Sequence, residues 1–445
     1  MTSLGDLAAR GDLRGVRERL DELDVTEIVE IVAAELGRRG GGAAASLFRS
    51  LPKDLAIAVF EALEPPLQGD LVGRLRDETE IKVLLEGLDP DDRAELLEEL
   101  PAKVTKRLLS GLSPGERSMT AALLGFPAGS VGRRMSPEVA TVPETVTVGE
   151  ALERVRREGD RAETIYLVPV VGEGRRLVGV VSLRRLLVTG RDVPVRDVCA
   201  EPVSVLPEDG EETAARTVRE NGLIALPVVD HERRLLGVFT VDDAMRALER
   251  AESEDSARGG GTEPLRRPYL SAGVLRVVRS RIGWLLGLVV GATLTVTVLD
   301  SFEDALEQVV ALALFVPLLI GTAGNAGAQA ATTVVRAITT DDLRLRDLGR
   351  VVGRELATGF LLGAGLAVVG FGPAWWFVGL DIAVVLALTV VAICMLATGT
   401  GAAVPLVARA AGVDPAVVSA PFITTFVDAT GLIIYFTTAT LLLGL

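Results

Sequence analysis

Cysteine, histidine, lysine and aromatic side chains are all scarce in this chain of 445 residues. The two cysteines, Cys199 and Cys394, lie far apart without CxxC spacing, which excludes a disulfide framework and a thiolate zinc site. The single histidine, His231, sits in Asp230-His231-Glu232 between two strand-like runs. It reads as a turn residue, because a transition-metal centre wants partners of similar softness. Lysine occurs four times against 42 arginines. No Walker loop, Ser/His/Asp set or zinc motif is present, so the chain does not read as an enzyme. The opening MTSLGDLAAR has no apolar core of a signal peptide, and the first half is expected to stay in the cytoplasm.

Positive charge is also short. The formal net charge is −14, and the clustered bases that phosphate binding needs are missing, so nucleic acid is not an expected partner and cations are. The charges are unevenly spread. Residues 1–263 hold 49 of the 60 acids and 35 of the 46 bases, whereas residues 264–445 hold only 11 of each. The first part is a charged, soluble-looking region and the second is nearly charge-free over long runs.

Those runs begin after Arg281 and reach Leu299, then cover about 309–335, 356–378, 382–408 and 417–445. Each supplies the roughly 20 apolar residues needed to cross a bilayer. Five membrane helices are expected, with Gly321, Gly324 and Gly327 interrupting the second. Arginines precede the first run (Arg266, Arg267, Arg276, Arg279, Arg281), separate the second from the third (Arg336, Arg344, Arg346, Arg350, Arg354) and separate the fourth from the fifth (Arg409). The other two connections carry none. This alternation places the N-terminus inside and the C-terminus outside a multi-pass protein of the plasma (inner) membrane. Small residues at four-residue spacing, Gly283, Gly287 and Gly291, and Gly359 and Gly363, permit close helix packing.

The fifth run contains an acid, Asp428. A charged side chain at mid-membrane costs about 2.5–3.5 kcal/mol on insertion scales. No Lys or Arg lies within the five runs, so its partner is a mobile cation, a proton or a polar group on another helix. Thr424, Thr425, Thr430 and Gly431 offer oxygens nearby, and Pro421 is placed to break the helix and free a carbonyl. Hard oxygens around one carboxylate suit Mg²⁺ or Ca²⁺ rather than copper or zinc. In a symmetric dimer two copies of Asp428 could face one axis. In the second run Thr322, Asn325 and Gln329 fall on one helical face, as pore lining or as interhelical glue.

The cytoplasmic part holds an internal repeat. Tyr166-Leu-Val-Pro169-Val-Val matches Ile224-Ala-Leu-Pro227-Val-Val, and Leu177-Val-Gly179-Val-Val-Ser182 matches Leu235-Leu-Gly237-Val-Phe-Thr240, 58 residues on in both cases. Each copy reads as helix, strand, turn, strand, helix, and two such copies pack together. The pattern resembles a tandem CBS module. Residues 1–130 read instead as a stack of short helices, with starts at Asp89-Pro90-Asp91-Asp92 and Ser113-Pro114-Gly115-Glu116 and a loop at Gly40-Gly41-Gly42. The expected organisation is therefore multidomain: an all-α helical N domain over 1–130, an α/β CBS pair over 131–250 (about 131–190 and 195–250), a connecting helix over 251–281 whose basic part lies at the membrane surface, and a five-helix transmembrane bundle over 282–445.

As a whole the chain resembles the MgtE magnesium channel/transporter family, most sharply in Pro317–Gln329, Gly412-Val-Asp414-Pro415-Ala416 and Asp428-Ala-Thr430-Gly431. The resemblance implies a homodimer in the lipid bilayer that conducts Mg²⁺, with Asp428 holding the hydrated ion and Asp414 binding Mg²⁺ near the inner face. Pore contacts fall on Thr424, Gly431 and Asn325. It also implies that Mg²⁺ bridges acidic cytoplasmic surfaces to close the pore through the connecting helix, with Asp91, Glu95, Glu212, Asp243, Glu254 and Asp255 at the matching positions. Acidic positions of the family fall here on Ala58, Gly222 and Arg246, and Arg185 replaces the Asp of the nucleotide-contacting turn, which weighs against ATP on the CBS pair. Other readings are transport of Co²⁺, Zn²⁺ or Ca²⁺ by the same scaffold, and a CBS-regulated membrane sensor that transports nothing. An anion channel is disfavoured by the acid in the pore run.

Overall fold

A computed structural model describes residues 23–37, 42–75, 78–265, 269, 272–339, 342–415 and 420–445. The expected glycine loop at 40–42 lies mostly outside these residues, as do the first 22 residues, Arg266, Arg267 and Ala416. The chain divides into two compact units, one ending at Ala251 and the other formed by Glu252–Leu265 with Val274–Leu445.

The first unit opens with eight described helices: α1 (Val25–Gly37), α2 (Gly42–Arg49), α3 (Lys53–Glu61), α4 (Pro65–Arg74), α5 (Glu78–Gly87), α6 (Pro90–Glu99), α7 (Ala102–Gly111) and α8 (Pro114–Leu124). Prolines set their starts. Pro65, Pro90 and Pro114 occupy the first turns of α4, α6 and α8, where a missing N–H is harmless. Ser113 and Glu116 form a reciprocal capping box at α8. The stack buries one leucine-rich core running from Ile28 through Phe60 and Leu97 to Leu112.

The repeat follows. A short helix α9 (Val131–Arg134) leads to β1 (Val142–Pro143), α10 (Val148–Glu158), β2 (Leu167–Val171), β3 (Leu177–Ser182) and α11 (Leu183–Val188). The second copy is α12 (Glu211–Asn221), β4 (Ala225–Val229), β5 (Leu235–Thr240) and α13 (Val241–Gly259). In both copies the strands pair antiparallel with proline opposite valine, Pro169 to Val180 and Pro227 to Val238, and the register slips at the same place, after Val170 and after Val228. The turns repeat as well: Arg175 and Arg233, 58 residues apart, share a φ of 62°. Val171 and Leu177 of one copy pack on Val229 and Leu235 of the other, as the sequence repeat requires. Ala94 of α6 and Leu123 of α8 enter the core of the second copy beside Leu226 and Phe239, so the helical stack and the second CBS copy share buried surface.

The second unit contains five helices long and apolar enough to cross a membrane, as expected. They are α14 (Val274–Ser301), α16 (Val316–Thr339) with a 3-10 stretch before it, α17 (Leu348–Val378), α18 (Leu380–Ala410) and α19 (Ala420–Leu443); a short α15 (Glu303–Gln308) follows α14. The glycines of the second span do not interrupt it; α16 is continuous through Gly321, Gly324 and Gly327. Nor does Pro421 break the last helix. It lies in the first turn of α19, where proline is tolerated. In the expected connecting segment, the described residues are helical to Gly259 and again from Val274.

Glycine allows α17 and α18 to touch along their backbones. A Cβ at Gly363 would stand 2.6 Å from the Val391 Cα, and one at Gly359 would stand 2.6 Å from the Cys394 carbonyl oxygen. Beside that contact the Thr398 hydroxyl donates to the Glu355 carbonyl at 2.7 Å. Of the other small-residue set only Gly291 makes such a contact, with Thr425 of α19; Gly283 and Gly287 face nothing within 4 Å. Overpacking of this kind costs about 1–3 kcal/mol. Gly363→Val is therefore expected to lower the thermal midpoint of the detergent-solubilised protein by several degrees. Gly365→Val, on the same helix with open space at its Cβ, should leave it unchanged.

Candidate cation sites

Asp428 lies near the middle of α19, half-buried, with its Oδ1 buried and without a hydrogen-bond partner among the described residues. The oxygen faces α16 where Gly324 removes a side chain; a Cβ there would stand 3.6 Å from it. Thr424, one turn before, approaches the same glycine. Its hydroxyl donates to the Pro421 carbonyl at 2.9 Å, as does that of Thr425, and the Thr430 hydroxyl donates to the Phe426 carbonyl at 3.0 Å. With their protons turned to the helix, these oxygens keep lone pairs free to accept from a hydrated cation. Pro421 thus contributes an acceptor for its neighbours, not a carbonyl freed by a break. Gly431 is buried against Ile393 and Ala323, where it serves helix packing. Its carbonyl lies inside a continuous helix, so the expected exposed oxygen is absent. Asn325 and Gln329 are exposed and Thr322 half-exposed, so the polar face of α16 points outward from the single bundle.

Asp414 lies between α18 and α19. Gly412, at φ 74°, ends α18 with the Val413 N–H bonded to the Ala408 carbonyl at 2.9 Å, a Schellman turn. The acid that follows meets Arg258 of α13, whose Nη1 is 2.6 Å from Asp414 Oδ2 while its Nη2 is 3.3 Å from Glu254. Asp255 is half-buried beside Glu254. The end of α13 is tied down a second time. After a left-handed turn at Gly261 the Glu263 N–H bonds the Ser280 carbonyl of α14 at 2.9 Å, and the Trp284 indole donates to the Glu263 carboxylate at 3.3 Å.

The acids of the first unit separate into two kinds. Asp91 is 5% exposed, in the first turn of α6, and its Oδ1 has no partner among the described residues. Burial holds its carboxyl well above the usual range, and Asp243, Asp92 and Glu163 add repulsion. Burial also raises Asp243, which accepts from the Thr240 hydroxyl at 2.8 Å. Asp92 and Glu163 are each pushed up to about 7, chiefly by burial. These are groups that a divalent ion would stabilise, although no three ligating side chains converge into a ready-made cage among the described residues. Glu95 and Glu212 are different. Glu95 Oε1 lies 3.2 Å from Arg134 and 3.0 Å from Arg250, and Glu212 Oε1 lies 2.6 Å from Arg216. Arginine supplies their counter-charge in this structure. The sequence reading missed Glu163 and Asp92, which come near Asp91 and Asp243 only when the CBS pair folds against α6. The Pro-Asp-Asp helix start was the one available signal for Asp92.

Comparison with known proteins gives consistent matches along the chain. Residues 23–129 match the MgtE intracellular N domain, residues 128–189 and 195–250 the CBS domain, and residues 316–438 the divalent cation transporter MgtE. The chain is 36% identical to the magnesium transporter MgtE of Thermus thermophilus across 99% of its own length and 98% of that protein's. It is 28% identical to the magnesium transporter MgtE of Bacillus subtilis across 97% and 94%. Among solved structures, the cytosolic domain of the Mg²⁺ channel MgtE in complex with ATP covers 55% of this chain and 98% of its own, at 33% identity and a TM-score of 0.51.

The raised carboxyls make stability depend on pH. Asp92 and Glu163 bind a proton more tightly in the folded chain than in the unfolded one, so folding takes up protons. Their contribution to stability is fully present below the ordinary carboxyl range and is lost as pH rises from about 4 through about 7. In Mg²⁺-free buffer the first thermal transition of the full-length protein, followed by circular dichroism, is expected to drop by several degrees between about pH 5.5 and 8. Asp92→Asn should flatten that dependence, and Mg²⁺ at the higher pH should restore part of the loss.

Proposed function

This chain belongs to the MgtE family of divalent cation transporters, and from that premise we propose that it passes hydrated Mg²⁺ through a dimeric pore along Asp428, under the control of Mg²⁺ bound to its cytoplasmic acids. Two curated relatives are named as magnesium transporters, and a solved relative's cytosolic domain is described as that of a Mg²⁺ channel. The observation that carries the reading is the buried, unpartnered oxygen of Asp428 in a bundle whose apolar runs hold no lysine or arginine. A mobile cation is the natural compensation for such a charge. Mg²⁺ gives up its water reluctantly, so one carboxylate with surrounding hydroxyls and amides suits a hydrated ion better than a bare one. In this reading the Thr424 hydroxyl and, across the dimer axis, the exposed Asn325 amide would hold that water.

A second copy completes the pathway in this reading. The polar face of α16 and nearly the whole of α14 are uncovered in one chain. Lipid cannot satisfy Asn325 and Gln329, whereas a facing copy can, with two Asp428 carboxylates doubling the field on a divalent ion. The arginine alternation puts the N-terminus and the CBS pair in the cytoplasm, the C-terminus outside, and the bundle in the plasma membrane. Residues 1–130 and 131–250 act as sensor, 251–281 as connector and 282–445 as pore.

Control follows from competition for acids. Arg258 holds Asp414 and Glu254 as a singly charged partner. A divalent ion at Asp414, Glu254 and Asp255 would exert a stronger field and draw the end of α13 onto the α18–α19 connection. Adenine nucleotide is less favoured: Arg185, exposed at the start of α11, stands where the family resemblance places an Asp.

Two measurements test the reading. Proteoliposomes carrying Asp428→Asn should take up Mg²⁺ at least about tenfold more slowly than wild type, since a neutral amide loses the charge-assisted attraction. Equal uptake would favour the non-transporting sensor, and inhibition of wild-type uptake by Co²⁺ or Ca²⁺ would identify a rival cargo. The double variant Glu254→Gln with Asp255→Asn should shift inhibition by internal Mg²⁺ to higher concentration; an unchanged profile would exclude these acids from control.

A further inference from the structure

The helical stack meets the second CBS copy along α6, and arginines stand among the acids of that contact. Arg246 Nη2 of α13 is 2.5 Å from Asp243, 3.4 Å from Asp242 and 3.8 Å from Asp92. The first two acids share its helix; Asp92 belongs to α6. One turn along each helix, Arg250 of α13 and Arg134 of α9 reach Glu95 of α6, and both also hold Glu211 of α12 at 3.3 and 3.2 Å. Arg134 and Arg133 reach Glu98 as well, at 3.5 and 2.8 Å. Every one of these guanidinium groups comes from the CBS side and every acceptor on α6 is an acid. Arg93, a buried base on α6 itself, plays no part, because its nitrogens donate to the Leu85 and Leu88 carbonyls.

We propose that Arg246, Arg250 and Arg134 are resident cations that keep the helical stack closed on the CBS pair without any divalent ion. A guanidinium on the chain is present at a fixed local concentration whatever the free Mg²⁺, and it cannot lose its proton. It does permanently what a bridging divalent ion does conditionally. Closure of this contact is then only weakly dependent on Mg²⁺.

The test is hydrogen exchange at α6 in the full-length protein in lipid nanodiscs, with and without Mg²⁺, using EDTA for the latter. Wild type should protect α6 in EDTA almost as well as in Mg²⁺. The double variant Arg246→Gln with Arg250→Gln removes two half-exposed bases and should exchange at α6 at least about tenfold faster in EDTA, with protection regained on adding Mg²⁺. Arg246→Lys with Arg250→Lys, which keeps the charge, should behave as wild type, and exchange at α10 in the first CBS copy should be unaffected throughout. The latch is overturned if the glutamine variant stays as protected in EDTA as wild type, or if wild type itself opens in EDTA. Because the readout is exchange and not flux, a failure of Mg²⁺ transport in the Asp428 experiment would leave these outcomes standing.

Discussion

A buried carboxylate needs a positive partner, and in this chain the origin of that partner differs from acid to acid. Two carboxylates among the described residues, Asp91 and Asp428, hide an oxygen that no donor reaches, and a third, Glu163, has only the Ser136 hydroxyl beside it. Around them, Glu95, Glu98, Glu211, Asp243 and Asp414 each have an arginine within ion-pair distance. Breaking a buried pair is costly because it strands a charge, and a charge that is stranded from the outset is a place where a free ion gains most. The contrast between served and unserved acids therefore says more about where cations act than the acidity of the region as a whole. The net charge of −14 is a background on which a few positions stand out.

The end of α13 is where this electrostatics could become mechanical. Its last turn is closed by a left-handed glycine, returned onto α14 through Glu263, and clipped to the α18–α19 connection through Arg258. The α18–α19 connection leads directly into the helix that carries Asp428. Ala420, at the start of α19, lies about two turns before Asp428.

Much of this architecture is written locally in the chain. Proline and capping residues mark the helix starts, the 58-residue spacing carries both strand pairs with their shared irregularity, and the five apolar runs become five helices. Asp428 is conspicuous because its surroundings are apolar. What was not legible is the pairing of charges over long separations. Arg250 meets Glu95 across 155 residues and Arg258 meets Asp414 across 156, and no periodicity encodes either. Hence the arginines paired with Glu95 were not legible in the sequence. Glycine was misread for a related reason. In soluble sequence it signals a break, whereas in α16 Gly324 and Gly327 are sites of close approach to α19 and α18, and the helix runs on. Pro421 belongs to the same class, since a proline in the first turn and one in the interior look alike until the helix start is known.

The preference for arginine over lysine has a practical side. All four primary amines on side chains, Lys53, Lys82, Lys103 and Lys106, belong to the helical stack, and the last three are exposed on α5 and α7. Arginine's delocalised group does not react with the acylating reagents that modify amines. An amine-directed dye or cross-linker will accordingly decorate that one domain and leave the CBS pair and the membrane helices untouched. Chemistry thus offers, without any engineering, a selective handle on the part of the molecule that the arginines hold in place.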